Sequence, residues 1–297
     1  MTARSNSSEP GRPGWTQASL AEQGGQGRLD ILRRPWAPIT GQAWREIERQ
    51  SRRVLRGNLS GRRLADFRGP HGWDFATVNL GHLDVGAGTA VGAVSWGLRK
   101  VLPLVEIRVP FKLRIWDLDD LGRGARNPDL ERLTAAARQA AAFEETAIYR
   151  GFEAAGIRGL LASAPHPPVP LGPDRSRFAE SVELALLAVQ EAEVGGPYAL
   201  VLGTEPYRWL MAGDPGGYPL HKRIKDLIHG GIHWSPVLEG GAVVSRRGGD
   251  FELTVGQDLA VGYQLHDAQE IQLYFAESFT FRVLEPAAAV ELRLQTD

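Results

Sequence analysis

The chain has no cysteine, and that absence removes a disulfide framework, a thiolate zinc site and a cysteine nucleophile together. No apolar run approaches the roughly 18 residues that cross a bilayer, and the first residues lack the apolar stretch of a secretory signal. A surplus of positive charge is also missing: 34 Lys and Arg stand against 35 Asp and Glu, a formal net charge of -1. Nucleic acid is packaged by neutralising phosphates, which calls for a basic excess or a basic stretch; here scattered Arg are balanced by acids. Lysine is scarce, with Lys100, Lys112, Lys222 and Lys225 the full set. That scarcity reads as genome base composition and carries no function.

What is present is an ordinary globular composition, 297 residues with 43% hydrophobic and 23% charged. This length suits two compact domains, or one large domain carrying insertions. Residues 1–28 are rich in Gly, Ser, Pro and Gln, with Trp15 and Leu20 the sizeable apolar side chains. Such a segment buries too little to offset its ordering entropy and is expected to be flexible.

From Leu29 the pattern changes. Thr40–Arg56 reads as an amphipathic helix with Trp44, Ile47, Val54 and Leu55 on one face, Thr40 as N-cap and Gly57 as stop. The Gly-rich stretch from Phe75 to Ser95 offers few large side chains and suits a long protruding hairpin. Val105–Ile115 alternates apolar and charged residues as a half-buried strand does, and Pro110, which lacks a donor, places it at an edge or beside a bulge. Asn127-Pro128 marks the start of a spine helix with Leu130, Leu133, Ala137, Ala141, Ile148 and Phe152 as its stripe. Run to residue 155 it would be roughly 40 Å long. Beyond it, helices at Phe178–Ala192 and Leu220–Ile228 flank a buried strand at Tyr198–Leu202. The chain then returns to strands at Phe251–Val255, Leu259–Tyr263, Ile271–Phe275 and Phe279–Val283.

Catalytic motifs fail one by one. Ser95 has Ala93 where a nucleophile elbow needs Gly. Asp117, Asp119 and Asp120 suggest a calcium loop, but Leu121 and Pro128 fall on oxygen-ligand positions, so a solvated turn is the plainer reading. His229 and His233 are four apart, yet Gly230-Gly231 breaks the helix that a zinc pair needs. Gly86–Gly92 has neither dinucleotide-binding spacing nor a Lys-Ser/Thr ending. No catalytic residue and no metal ligand is assigned.

Five segments in colinear order, WAPIT (Trp36–Thr40), GRRLADFRGPHGWDF (Gly61–Phe75), SWGLRKVLPLVEIRVPF (Ser95–Phe111), RGGDFELTVGQDLAVGY (Arg247–Tyr263) and AESFTFRV (Ala276–Val283), together with NPDL and GGPYALV (Gly195–Val201), resemble the family 1 encapsulin shell proteins, also labelled linocin-type bacteriocins. The resemblance covers residues 29–297. It implies an α+β, HK97-like capsid fold: an N-terminal helix and arm at 29–74, an extended-loop hairpin at 75–101, a peripheral domain with its spine at 102–157, an axial domain at 158–250, and peripheral C-terminal strands at 251–297. It implies a cytoplasmic, non-enzymatic subunit that assembles with itself into an icosahedral nanocompartment. That compartment holds a cargo enzyme, a dye-decolorising peroxidase or a ferritin-like protein, by its C-terminal peptide.

Matched position by position, Leu55, Leu59, Leu64 and Leu259 would line the peptide dock, with Arg62, Asp66 and Asp258 as polar guides; the plainer alternative is that these leucines are core. Trp96 matches a Trp on which some members stack a flavin, the alternative being a packed subunit contact, and no cofactor is required. Asp214, Pro215, Gly216 and Gly217 match the five-fold pore loop, without a histidine there. No nucleic-acid or membrane partner is implied. Residues 1–28 depart from the family pattern, either as a luminal tail or as a start codon placed too early. A phage-type major capsid protein is the structural alternative, and a peptidase or bacteriocin activity the enzymatic one.

Overall fold

The structure, a computed structural model, describes residues 30–86, 94–212 and 219–295. The expectations for residues 1–28 and for the 214–217 loop lie outside the described residues.

Helix α1 (Gly41–Asn58) forms as its pattern dictates, with the Thr40 side chain accepting from the Ala43 N–H. Ala43, Ile47, Ser51 and Leu55 make its buried face, one residue per turn, while Trp44 and Val54 are half-buried at its margin. Ser51 is tolerated there because its hydroxyl donates to the Ile47 carbonyl. A 3-10 turn (Gly61–Arg63) and a short strand β1 (Asp66–Arg68) follow. Among the described residues, strands β2 (Thr77–Val85) and β3 (Gly97–Pro103) pair with each other alone, forming the expected hairpin with its base two residues further along than Val101.

The first sheet is organised around one long strand, β13 (Glu270–Val283), with β4 (Val105–Arg114) along one side. On its other side lie β12 (Ala260–His266) and then β11 (Phe251–Val255), and β1 runs parallel to β11. Phe279 faces both Val105 and Val255, which fixes the two edges of β13. The two strands expected at 271–275 and 279–283 are thus one. Ala276, Glu277 and Ser278, which read as an interruption, are buried mid-strand. Strand β4 carries Pro110 opposite Tyr274 and, among the described residues, pairs only with β13, the edge position that suits proline.

The Asp117–Asp120 segment, expected as a solvated turn, belongs to a short helix α2 (Ile115–Gly122) whose Leu118 and Leu121 are buried. The spine, α3 (Glu131–Tyr149), is shorter than expected, about 28 Å. It does not start at Pro128: Asp129 folds back to accept the Glu131 N–H, which leaves 127–130 as coil. It stops at Tyr149 because Gly151 takes φ +97 and begins a two-residue strand pairing, β5 (Gly151–Phe152) with β6 (Ile157–Arg158).

The second sheet begins after a short helix α4 (Leu160–Ser163). Its strands are β7 (Val169–Leu171), β8 (Tyr198–Leu202), β9 (His229–Trp234), β10 (Gly241–Ser245) and β14 (Ala289–Leu294), ordered β7-β14-β10-β8-β9. Helices α5 (Arg175–Glu191), α6 (Thr204–Met211) and α7 (Leu220–Ile228) pack beside it. Strand β14 departs from the expected division, since it pairs with β10 and β7 and not with the strands of 251–283.

Two apolar cores result. One lies between α1, α2, α3, β4, β12 and β13, the other around the second sheet with α5, α7 and β11. The spine contributes Leu133–Ala141 to the first and Ala147–Tyr149 to the second, so it joins the two.

Candidate assembly and docking surfaces

The β2–β3 hairpin exposes a large fraction of its apolar side chains. Leu83, Val85, Val94, Trp96, Leu98 and Val101 are all exposed, Val85 to 70% and Leu98 to 65%. An isolated two-stranded ribbon is marginal in water, and exposed apolar area on this scale marks a contact surface. Trp96, 44% exposed, lies flat against Gly86, where a Cβ would come within 2.2 Å of the indole. The same pair is joined through the backbone, with the Gly86 N–H donating to the Trp96 carbonyl.

The residues expected to line a peptide dock converge where the end of α1 meets the spine. Leu55, Leu59, Leu64 and Leu259 are between 2% and 9% exposed. Leu55, Leu59 and Leu259 belong to the first core and Leu64 to the second. In the chain by itself they are core side chains. Arg62 is likewise turned inward. Its guanidinium binds Glu144 at 2.6 Å, Glu277 at 2.6 Å and Asp258 at 2.8 Å, with Phe67 stacked 5.3 Å from it. Asp66 accepts the Gly249 N–H and so ties β1 to the turn before β11.

One cation cannot neutralise two buried carboxylates and a half-buried one, and the pKa shifts show how the excess is met. The Arg62 charge holds Glu144 below the ordinary carboxylate value against its burial. Burial, and then the negative charge of Glu144, push Glu277 well above it. Glu277 is thereby pushed toward its neutral form, and a side-chain hydrogen bond joins it to Glu144.

The neighbouring Glu145 points to the other side of the turn. It accepts from the Ser60 hydroxyl at 2.5 Å, the Gly61 N–H at 2.6 Å and the Ser235 hydroxyl at 2.7 Å. Ser60 also bonds the Tyr149 hydroxyl at 2.6 Å. Burial raises Glu145 to about 7, opposed by those hydrogen bonds. The packing leaves room only for glycine at 61, where a Cβ would sit 2.7 Å from Ile148 Cδ1.

Sequence reasoning missed Glu144, Glu145, Glu277, Ser60 and Ser235. A signal for two of them was present. Glu144 falls on the buried stripe Ala137, Ala141, Ile148, and Glu277 falls on the face of Phe275, Phe279 and Phe281. A charge on an apolar stripe demands a buried partner. Among the described residues, no group of three His, Asp or Glu is placed to hold a metal ion, and no helix is long and apolar enough to cross a membrane.

A spine helix joining two cores, a five-stranded sheet on each, and a detached apolar hairpin define a shell subunit of the HK97-like capsid fold. The virus-like particle of Pyrococcus furiosus superposes on this chain with a TM-score of 0.59 at 16% identity, covering 84% of this chain and 99% of that one. A family model described as encapsulating protein for peroxidase matches residues 29–280. The type 1 encapsulin shell protein of Rhodospirillum rubrum is 42% identical over 272 residues, 89% of this chain and 97% of that protein. That of Mycobacterium tuberculosis is 36% identical over 265 residues, 89% and 99% of the two chains. The chain belongs to the encapsulin shell-protein family.

Proposed function

We propose that this chain is the repeating subunit of a closed icosahedral shell in the cytoplasm, structural and not catalytic, that encloses an enzyme bound by its C-terminal peptide. The observation that carries the assembly is the β2–β3 hairpin, whose apolar side chains have no partner strand in the subunit's own sheets. A neighbouring copy supplies the missing surface. The matched family's description, an encapsulating protein for peroxidase, favours a peroxidase over a ferritin-like cargo.

The peptide docks where the last turn of α1 meets the Gln257–Leu259 turn, with half-buried Asp66 and Asp258 setting its register and the adjoining leucines supplying apolar contact. Many such sites in one shell hold cargo by multivalency even when each is weak. Trp96 serves first as a subunit contact, and its half-exposed indole face is also the place for a flavin.

Mass spectrometry of shells from the native host tests the cargo. A co-purifying haem protein supports the peroxidase reading, and particles holding nucleic acid without protein cargo support a phage-type capsid instead. A cargo peptide carrying a photo-crosslinker should label residues 54–66 and 257–259; labelling confined elsewhere rejects this dock.

A further inference from the structure

The turn that follows α1 is held by carboxylates and not by apolar packing alone. Glu144 and Glu145 leave the same turn of the spine, and both grip residues 60–62. Glu145 also reaches Ser235, just past the end of β9 in the second sheet. Four elements therefore meet on two adjacent acids: the end of α1, the spine, β13 through Glu277, and β9. All of the gripping groups are buried.

We propose that the turn Ser60–Arg63 is a proton-dependent clasp, tighter in mild acid, which loosens the end of α1 from the spine and from the second sheet as pH rises to neutral and above.

The charged surroundings favour a proton on the clasp. On the spine itself Glu144 adds negative charge beside Glu145, and Tyr149 contributes a neutral hydroxyl. From the turn, Arg62 is committed to Glu144, Glu277 and Asp258. Arg63 is exposed and acts on Tyr149 and His233. From β9, His233 is held down to about 4 by burial and by Arg63 and Arg246, so it is neutral throughout the range and brings no counter-charge. From β13, Glu277 is pushed toward its neutral form beside Glu144. No cation in direct contact with Glu145 is recorded among the described residues, whose three partners here are neutral donors.

The sign follows from linkage. A carboxyl raised on folding favours the closed state fully below its unfolded pKa, and that preference is lost as pH rises through the folded value. Glu145, raised from 4.5 to about 7, and Glu277, also raised, both act in this direction. Glu144, held down by Arg62, acts in the opposite sense and weakens the clasp only in acid. Between about pH 5.5 and about pH 8.5, Glu145 alone raises the opening equilibrium roughly thirtyfold. Opening frees the segment that buries Leu55 and Leu59.

Amide hydrogen exchange on assembled shells, corrected for intrinsic rates, reads this directly at the Gly61, Arg63, Leu64 and Ala65 amides, which are bonded within the clasp. The expected result is a loss of protection of roughly thirtyfold across that interval, while amides of β8 and β10 stay unchanged. Glu145→Gln should flatten most of the slope. Ser235→Ala, which keeps the carboxyl, should lower protection at every pH and retain the slope. Protection in the wild-type shell that does not vary with pH overturns the proposal, whatever the variants do. An unchanged slope in Glu145→Gln overturns it as well.

Discussion

Arg62 sets the energetics at the scale of single residues. Its side chain is 6% exposed and faces three carboxylates. The desolvation of such a cluster offsets much of its Coulombic gain, so its presence says little about net stability, but removing one partner is costly. Replacing Arg62 by Met leaves Glu144 buried without its cation and is expected to cost about 3–5 kcal/mol. Glu277→Gln is different. The amide donates to Glu144 as the protonated acid does and still accepts from Arg62, so the change should stay within about 1 kcal/mol. Urea unfolding of the two variants in an assembly-deficient background measures both. A Glu277→Gln loss as large as that of Arg62→Met would mean that Glu277 is ionised and that the proton has been placed on the wrong residue.

At the scale of elements, the hairpin separates folding from assembly. Trp96 and Leu98 are exposed in the subunit, and the β2–β3 ribbon shares no strand pairing with either sheet. The double change Trp96→Asp, Leu98→Asp should therefore leave far-ultraviolet circular dichroism unaltered while shell formation falls at least tenfold by size exclusion. Loss of the subunit fold itself would show that the hairpin supports the core. Elements whose pattern is local were legible beforehand: α1 from its apolar face, β4 from strict alternation, and α5, α7 and β8 as segments bounded within a few residues of where they form. Those that depended on distant partners were not. Glu277 in the middle of β13 reads as a break until Arg62, 215 residues away in sequence, supplies its partner. Strand β14 has only a short, weak alternation, and it exists because β10 and β7 offer it two edges. The start of the spine was misplaced because Asn127-Pro128 is a plausible cap in isolation, whereas Asp129 takes that first donor.

At the scale of the whole molecule, two cores share one spine, and the hairpin carries a contiguous set of exposed apolar side chains, Leu83, Val85, Val94, Trp96, Leu98 and Val101. A heterologous contact of that kind closes into a shell only when the angle between neighbours repeats around symmetry axes. That angle is a property of interfaces and has no local pattern in the chain. The proposed dock was legible only in part for a related reason. The resemblance named Leu55, Leu59, Arg62, Asp258 and Leu259 as a group, whereas their burial around the end of α1 and the carboxylates that enforce it come from packing.

The central claim is assembly, and negative-stain electron microscopy of the purified recombinant protein after size exclusion tests it most directly. The account predicts hollow, uniform, icosahedral particles. A monomer or small oligomer persisting across several buffers would contradict it.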